Sequence, residues 1–169
     1  MARLLLTALG TLLLDQASKL GVIHLLSLRE RGEIDVIDPV LNFRWAENRG
    51  MNFGLLSNDA ELSRWLLILL ALAISGWVVM WVRKGGFGPW SEASAGLLVG
   101  GAVGNVVDRL AYGYVADFLN MSCCGIENPF SFNVADIAIF AGALGLVLFT
   151  GTGGGKPAGK PQPKRRKTP

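Results

Sequence analysis

The stretch WLLILLALAISGWVVMWV, residues 65–82, contains no charged residue and is flanked by Arg64 and Arg83. A helix needs about 20 apolar residues to cross the hydrocarbon core of a bilayer, so this stretch is about long enough to span one. Of the 169 residues of the chain, 51% are hydrophobic and 17% are charged, against about 25% charged in soluble domains. Both observations predict an α-helical integral membrane protein.

Three further apolar segments predict helices on either side of that stretch. They lie at residues 4–26, 93–112 and 128–150. The segment at 93–112 is rich in small residues, which permit close helix–helix approach in lipid. The first segment begins like a signal peptide, but Asp15, Lys19 and more apolar residues follow where a small-residue cleavage site would stand, so we expect it to be retained. The chain is thus predicted to form four transmembrane helices in one domain over residues 1–150.

Basic residues predict the orientation. Arg83 and Lys84 lie between the second and third helices, and residues 151–169 carry six basic residues and no acidic one. Cytoplasmic loops carry the excess of Lys and Arg, so both termini are expected in the cytoplasm and the loops 27–63 and 113–127 outside. The basic tail, rich in Gly, Pro and Lys, is expected to be disordered. It is expected to face anionic lipid rather than nucleic acid.

The first outer loop alternates apolar and polar residues on both sides of Asp38-Pro39. Its apolar members are Ile34, Val36, Leu41, Phe43 and Trp45. Alternation with a period of two is typical of short strands with one buried face. The first outer loop is therefore predicted to form a small extracytoplasmic β-sheet.

Asp117 and Asp136 are the residues of most functional interest. Asp117 is expected in the second outer loop, just after the third helix, and Asp136 is the only charged residue of the fourth segment. An Asp at the centre of a membrane helix costs roughly 2.5–3.5 kcal/mol on insertion scales, and such carboxylates are usually functional. Two carboxyls that share a proton can activate water for peptide hydrolysis. The two residues therefore predict an acid–base site on the outer side.

Other polar residues are expected at the same depth. Residues three or four apart share a helix face, which groups Asn105 with Asp108 and Arg109, Asn133 with Asp136, and Asp15 with Lys19. Asn48 precedes Gly50 in the first outer loop, where glycine lets the backbone bend towards the site. Simple structural roles remain open for these groups: an Asp108–Arg109 ion pair, an Asp15–Lys19 ion pair, and interhelical hydrogen bonds of the two asparagines.

Few residues of the chain are candidates for other kinds of catalysis. His24 is the only histidine and is expected at the membrane interface, away from the other motifs. Cys123 and Cys124 are adjacent and are not spaced as metal ligands, so we expect a plain loop there. We therefore expect no metal or cofactor, and the carboxylates are the candidate acid and base.

The positions of the charged residues alone leave two other classes of function open. A proton-coupled carrier would use Asp136, Asp15 and Lys19 as a relay, but it should place charges through the full membrane depth. A membrane assembly factor would use the glycine-rich third helix for packing and would tolerate Asp136→Asn.

Five sequence blocks, in order along the chain, resemble the lipoprotein signal peptidases (signal peptidase II), which are aspartyl peptidases of the bacterial inner membrane. The blocks are DQASK at 15–19, NRGMNF at 48–53, the segment from Gly101 through Asn105 to Arg109, VADF at 115–118 and FNVAD at 132–136. The resemblance covers essentially everything except the tail.

The resemblance implies cleavage of diacylglyceryl-modified prolipoproteins just before the lipidated cysteine, by a monomer surrounded by membrane lipids. It implies that Asp117 and Asp136 are the catalytic pair. It also implies that a set of polar and small residues supports the pair or the substrate: Asp15, Lys19, Asn48, Gly101, Asn105, Asp108, Arg109, Asn133 and Ala135. Two departures leave substrate preference open. Arg49, Met51 and Asn52 stand where small residues are common, and Ala116 stands where valine is common.

Overall fold

The computed structural model describes residues 1–50, 60–122 and 128–152. Its long helices lie at the four predicted apolar segments, and its strands lie in the two loops predicted to face outward. In chain order the elements are α1 (Ala2–Leu20), a π-helical turn (Gly21–Leu25), α2 (Leu28–Arg31), β1 (Glu33–Ile37), β2 (Leu41–Asn48), α3 (Ala60–Gly85), α4 (Pro89–Tyr112), β3 (Val115–Asn120) and α5 (Val134–Thr152).

One helix in the described part of the chain is long and apolar enough to cross a membrane. It is the Glu61–Gly85 part of α3, which contains the stretch 65–82, and Val134–Thr150 of α5 is a shorter apolar helix. α1 and α4 contain charged residues in their sequences, which lowers their mean hydropathy. The prediction of a spanning helix is therefore clearest for α3.

The start of α5 differs from the prediction. The helix begins at Val134 rather than near residue 128, and Asn133 stands just before it. The side-chain Oδ1 of Asn133 accepts the Asp136 N–H at 2.9 Å, and Asp136 Oδ2 accepts the Asn133 N–H at 3.2 Å. This reciprocal pattern is that of a capping box, which satisfies N–H groups that have no partner within the helix. Asn133 and Asp136 are therefore neighbours, as predicted, but Asn133 caps the helix instead of lying within it.

α4 lies between α1 and α5, and glycines bring the helices together. A Cβ built on Gly96 would lie 2.6 Å from the Leu4 carbonyl oxygen of α1. One built on Gly101 would lie 2.5 Å from the Ala135 carbonyl oxygen of α5. Because a side chain at either position would collide with backbone, the close approach requires glycine. The small residues of α4 thus pack the bundle on both sides.

The sheet has the antiparallel order β1-β2-β3, and its third strand was not predicted. β3 comes from the second outer loop and pairs Asp117 with Ala46 of β2. All but one of its residues are buried, so it lacks the alternation that identified β1 and β2. Leu119 also bridges to Phe132, which covers the other edge of β3. The predicted sheet of the first outer loop therefore exists as β1 and β2, and the second outer loop adds a strand that was not predicted.

The sheet packs on the end of α1 through a small apolar cluster. Val22 of the π-helical turn, Leu28 of α2 and Phe118 of β3 are each at most 5% exposed. Phe43 of β2 meets Phe118 edge to face, with the ring centroids 5.6 Å apart. This cluster holds the strand that carries Asp117 against the helical bundle.

Candidate active site

Asp117 lies on β3 and points into the junction between sheet and helices. Its side chain is 3% exposed. Asn48, at the end of β2, donates from Nδ2 to Asp117 Oδ2 at 3.1 Å, and Asn133 donates from Nδ2 to Asp117 Oδ1 at 2.5 Å. The second outer loop, where Asp117 was expected, forms β3 at this point, and a strand holds the carboxyl more rigidly than an irregular segment would.

Asp136 lies in the first turn of α5 and is less buried than Asp117. Besides its contacts within the capping box, its Oδ1 accepts a hydrogen bond from Asn105 Nδ2 of α4 at 2.9 Å. No salt bridge joins a described cation to Asp136 or Asp117. Neutral amide and backbone groups therefore hold both carboxyls.

Asn133 links the two aspartates directly. It is fully buried, its Nδ2 binds Asp117, and its Oδ1 and N–H bind Asp136. The same Nδ2 lies 3.3 Å from Asn105 Oδ1, and Asn105 in turn donates to Asp136. One side chain and its backbone thus bring the carboxyls of a strand and a helix to one site, as the sequence predicted.

The pKa of Asp117 is raised from its usual 3.8 to about 7, chiefly by burial and secondly by the nearby Asp136 charge. Hydrogen bonds from Asn48 and Asn133, and the charge of Lys19, act in the opposite direction but do not outweigh burial. Removing a carboxylate from water disfavours its charged form. Asp117 is therefore able to hold a proton near neutral pH.

A buried ion cluster lies beside this pair. Lys19 Nζ of α1 lies 2.8 Å from Asp15 Oδ2 and 2.7 Å from Asp108 Oδ2, and all three side chains are at most 3% exposed. Because a buried charge is stable only when it is paired, one ammonium neutralises part of the charge of two carboxylates here. Asp108 pairs with Lys19 rather than with Arg109, so the simple Asp108–Arg109 pair considered from the sequence is wrong.

The ion cluster also binds the backbone beside each aspartate. Asp15 Oδ1 accepts the N–H of Ala135 at 2.9 Å, and Asp108 Oδ2 accepts the N–H of Ala116 at 3.3 Å. Ala135 and Ala116 are the residues immediately before Asp136 and Asp117. Because Lys19 holds both carboxylates, one cation determines where both chain segments lie.

Gln16 belongs to the cluster and was not among the predicted site residues. Its Nε2 lies 2.9 Å from Asp108 Oδ1, 3.1 Å from Asp15 Oδ2 and 3.3 Å from the Gly104 carbonyl oxygen. A spacing of three or four residues marks a shared helix face, and Gln16 lacks that spacing because it is adjacent to Asp15. Its presence as a polar residue within an apolar helix was the signal that could have found it.

Two predicted small residues allow the contact between helices at this depth. Ala135 is fully buried, and its carbonyl oxygen lies where a Cβ at Gly101 would stand. One turn further, a Cβ on Gly104 would lie 2.7 Å from Asp15 Oδ2. The bare backbone of α4 therefore lets the ion cluster fit between the helices.

Arg109 lies at the polar end of an apolar groove of about 250 Å³ between α3, α4 and α5. The groove is lined by Leu67, Leu70, Ala71, Ile74, Leu98, Ala102, Asn105, Arg109 and Ile139. The Nη1 of Arg109 donates to the Asn105 carbonyl oxygen at 3.3 Å, and its buried Nε has no hydrogen-bond partner in the described part of the chain. The groove therefore has an apolar wall that ends at the guanidinium of Arg109.

Asn48 joins the site from the exposed end of β2. Its Oδ1 accepts the N–H of Gly50 at 3.1 Å, and Gly50 has a φ of 102°, which favours glycine. Arg49 points away and pairs with Glu47 at 2.7 Å. His24 lies in the π-helical turn. Met51, Asn52, Cys123, Cys124 and residues 153–169 lie outside the described residues.

Comparison with known proteins gives a consistent result. A family model described as signal peptidase (SPase) II matches residues 7–151 of the chain. The chain is 42% identical over 146 residues to the lipoprotein signal peptidase of Methylobacterium sp. (strain 4-46), covering 86% of this chain and 87% of that protein. It is 40% identical over 147 residues to the lipoprotein signal peptidase of Aeromonas hydrophila subsp. hydrophila, covering 86% of each.

Two solved structures have a similar fold, and each is described as a bacterial membrane enzyme determined by the in meso method. The structure at 2.3 Å resolution has a TM-score of 0.72 and 25% identity, covering 88% of this chain and 87% of that chain. The structure at 1.9 Å resolution has a TM-score of 0.74 and 24% identity, covering 88% and 92%. With the family model covering residues 7–151, this chain belongs to the signal peptidase II family.

Proposed function

We propose that the protein removes signal peptides from diacylglyceryl-modified prolipoproteins, cutting before the lipidated cysteine, and that Asp117 and Asp136 activate the water. The observation that carries the proposal is the double contact of Asn133, which binds the carboxyls of both aspartates at one site. The names of the curated relatives, lipoprotein signal peptidases, support the substrate class.

The two carboxyls take different roles because their surroundings differ. Asp117, whose pKa is raised to about 7, is assigned the proton, and Asp136 is therefore assigned the role of base. Asp136 takes a proton from the water that attacks the scissile carbonyl carbon. Asp117 hydrogen-bonds the carbonyl oxygen and stabilises its developing negative charge. The proton on Asp136 then passes to the leaving nitrogen as the C–N bond breaks.

The apolar groove between α3, α4 and α5 is the proposed place of the signal peptide. An apolar helical segment suits its aliphatic lining, and burial of that segment supplies part of the binding energy. Arg109 lines the groove, and its guanidinium is the proposed donor to a backbone carbonyl of the substrate near the scissile bond. Asn105, which also lines the groove, connects this end to Asp136.

The proposed setting is the bacterial inner membrane, crossed by four helices with both termini in the cytoplasm. Large apolar side chains point outward from the other helices as well as from α3: Leu5 and Leu13 of α1 are 65% and 60% exposed, and Phe140 and Val147 of α5 are each 73% exposed. The buried charges lie inside the bundle. Such an arrangement suits lipid surroundings. Reporter fusions at the loops 27–63 and 85–88 test the topology. A reporter in the first loop should indicate the extracytoplasmic side of the membrane, and one in the second loop the cytoplasmic side.

The catalytic proposal is tested by Asp117→Asn and Asp136→Asn, each assayed for processing of a lipidated precursor in reconstituted membranes. Loss of a general acid or base typically lowers a rate by about 10²–10⁴, so both variants should process at most about 1% of the wild-type rate. Asp35→Asn, which removes an exposed carboxylate from β1, is the matched control and should process normally. Wild-type rates in either active-site variant would contradict the proposal.

The carrier considered from the sequence gains no support. Among the described residues, the buried charges are Asp15, Lys19, Asp108 and Asp117, and contacts between them place all four at one end of the bundle. A relay would need such groups further along the helices.

A further inference from the structure

The end of the helical bundle opposite the candidate active site is positively charged. Arg3 of α1 and Arg83 and Lys84 at the end of α3 are exposed, and none of them makes an ion pair within the described part of the chain. The single acidic residue among residues 1–10, 76–96 and 142–150 is Glu92, and it pairs with the amino terminus at 2.5 Å. The exposed cations at this end are therefore available to an external anion.

A first groove of about 360 Å³ opens beside one of these cations, on the outer side of α3. It is lined by Trp77, Met80, Trp81, Lys84 and Gly85. Trp77 and Trp81 stack with their rings 3° from parallel and their centroids 5.8 Å apart, and Trp77 and Met80 are 60% and 55% exposed. The groove thus has an aromatic and thioether wall with an ammonium at one end.

A second groove, of about 300 Å³, also has a cation and an indole in its lining, and it lies on other helices. It lies between α1 and α4, where Arg3 and Trp90 line it together with Leu6. Trp90 and Leu6 are 69% and 70% exposed, and Trp90 rests on Phe149 of α5 with the centroids 5.9 Å apart. A cation beside an exposed indole therefore occurs twice at this end.

We propose that each groove binds one anionic phospholipid, with its phosphate on Lys84 or Arg3 and an acyl chain along the indole wall. Indole rings prefer the level of the lipid headgroups, and basic pockets between membrane helices hold anionic headgroups. Lys and Arg side chains extend their polar ends to that level from an apolar stem. The inference uses the membrane placement proposed above and none of the peptidase chemistry.

The alternative to two sites is a diffuse attraction of anionic lipid to all cations of this end and of the basic tail. The chain offers a matched control for it. Arg83 is adjacent to Lys84, carries the same charge at the same end and is also exposed, yet it does not line the groove. A bound lipid therefore depends on Lys84 more than on Arg83, whereas diffuse attraction depends on both equally.

The test is native mass spectrometry of the full chain in detergent with added phosphatidylglycerol or phosphatidylcholine. The wild type should retain two molecules of phosphatidylglycerol in preference to phosphatidylcholine. Lys84→Ala and Arg3→Ala should each weaken one of the two binding steps about fivefold, the usual effect of one basic residue near the surface. The double variant should lose the preference for both, and Arg83→Ala should bind as the wild type does.

Equal retention of the two lipids by the wild type would overturn the inference, and so would an equal loss in Arg83→Ala and Lys84→Ala. Peptidase activity separates this outcome from a failure of the proposed function. The grooves lie at the other end of the bundle from Asp117 and Asp136, so both single variants should remain folded and process precursor.

Discussion

Two carboxylate pairs lie within one site, and they differ in what compensates their charge. Asp15 and Asp108 share the ammonium of Lys19. Asp117 and Asp136 contact amide and backbone donors instead. The first pair is neutralised in part and holds backbone, whereas the second has a carboxyl whose pKa is raised to about 7. The comparison teaches that carboxylates paired with a buried cation hold backbone, whereas burial without an ion pair raises the pKa of Asp117.

The largest effect is expected from Lys19→Met, which leaves the carboxylates of Asp15 and Asp108 buried without a cation. Breaking a buried ion pair by removing one partner typically costs about 3–5 kcal/mol of folding free energy. Thermal unfolding in detergent measures the loss, and precursor processing should fall with it. Lys84→Met is the control, because it removes an exposed ammonium, and it should unfold as the wild type does. Wild-type stability of Lys19→Met would show that the ion cluster does not hold the site.

A smaller effect is expected from Gly104→Ala, which displaces the cluster without removing any charge. Its new methyl group would lie 2.7 Å from Asp15 Oδ2, so either this carboxylate must leave its contacts with Lys19 and Gln16 or α1 and α4 must separate. Overpacking of this kind typically costs about 1–3 kcal/mol. Gly10→Ala in α1 is the matched control, because nothing lies within 4 Å of its Cβ position. The control should be as stable as the wild type or slightly more stable, and equal unfolding temperatures of the two variants would contradict the packing argument.

The pH dependence of the wild type tests the second pair. A carboxyl whose pKa is about 7 keeps its proton below that pH and loses it above. If protonated Asp117 is the acid, the processing rate should fall as pH rises through about 7 and approach a tenfold loss per pH unit above it. Initial rates on a lipidated precursor between pH 5 and 9 measure this falling limb of the pH–rate profile. A rate that rises through pH 7 would assign the role of base to Asp117.

The smallest effect is expected from Asn48→Ala, which removes one hydrogen bond from Asp117. That bond lowers the pKa of Asp117, so its loss should raise the pKa above about 7 and move the falling limb to higher pH. Asn42→Ala changes another asparagine of β2, whose Nδ2 binds Glu33, and should leave the limb in place. A limb that moves to lower pH in Asn48→Ala would contradict the assignment of the limb to Asp117.

Much of the fold was predictable because it depends on local composition. The four apolar segments became α1, α3, α4 and α5, and the alternation around Asp38-Pro39 became β1 and β2. β3 was missed because its residues are buried almost throughout, so alternation does not mark it. The start of α5 was misplaced because a capping box, rather than a change in hydropathy, ends the loop at Asn133.

The candidate site was predicted in its members more than in its contacts. The family resemblance is confirmed, and Asp117, Asp136, Asn105 and Asn133 meet as expected. The sequence left open which partner Asp108 takes, and Lys19 of another helix takes that place. Gln16 was not predicted as a site residue because its three acceptors come from two helices that only packing brings together.

By itself, the sequence determined that this is a membrane protein of the signal peptidase II family, and it singled out Asp117 and Asp136. Hydropathy and the order of motifs are properties of the chain, so no contact between distant residues is needed to read them. Only the tertiary structure decided which carboxylates Lys19 neutralises and which are left to Asn48, Asn105 and Asn133. The compensation of a buried charge depends on groups that lie far apart in the chain and a few ångströms apart in the fold.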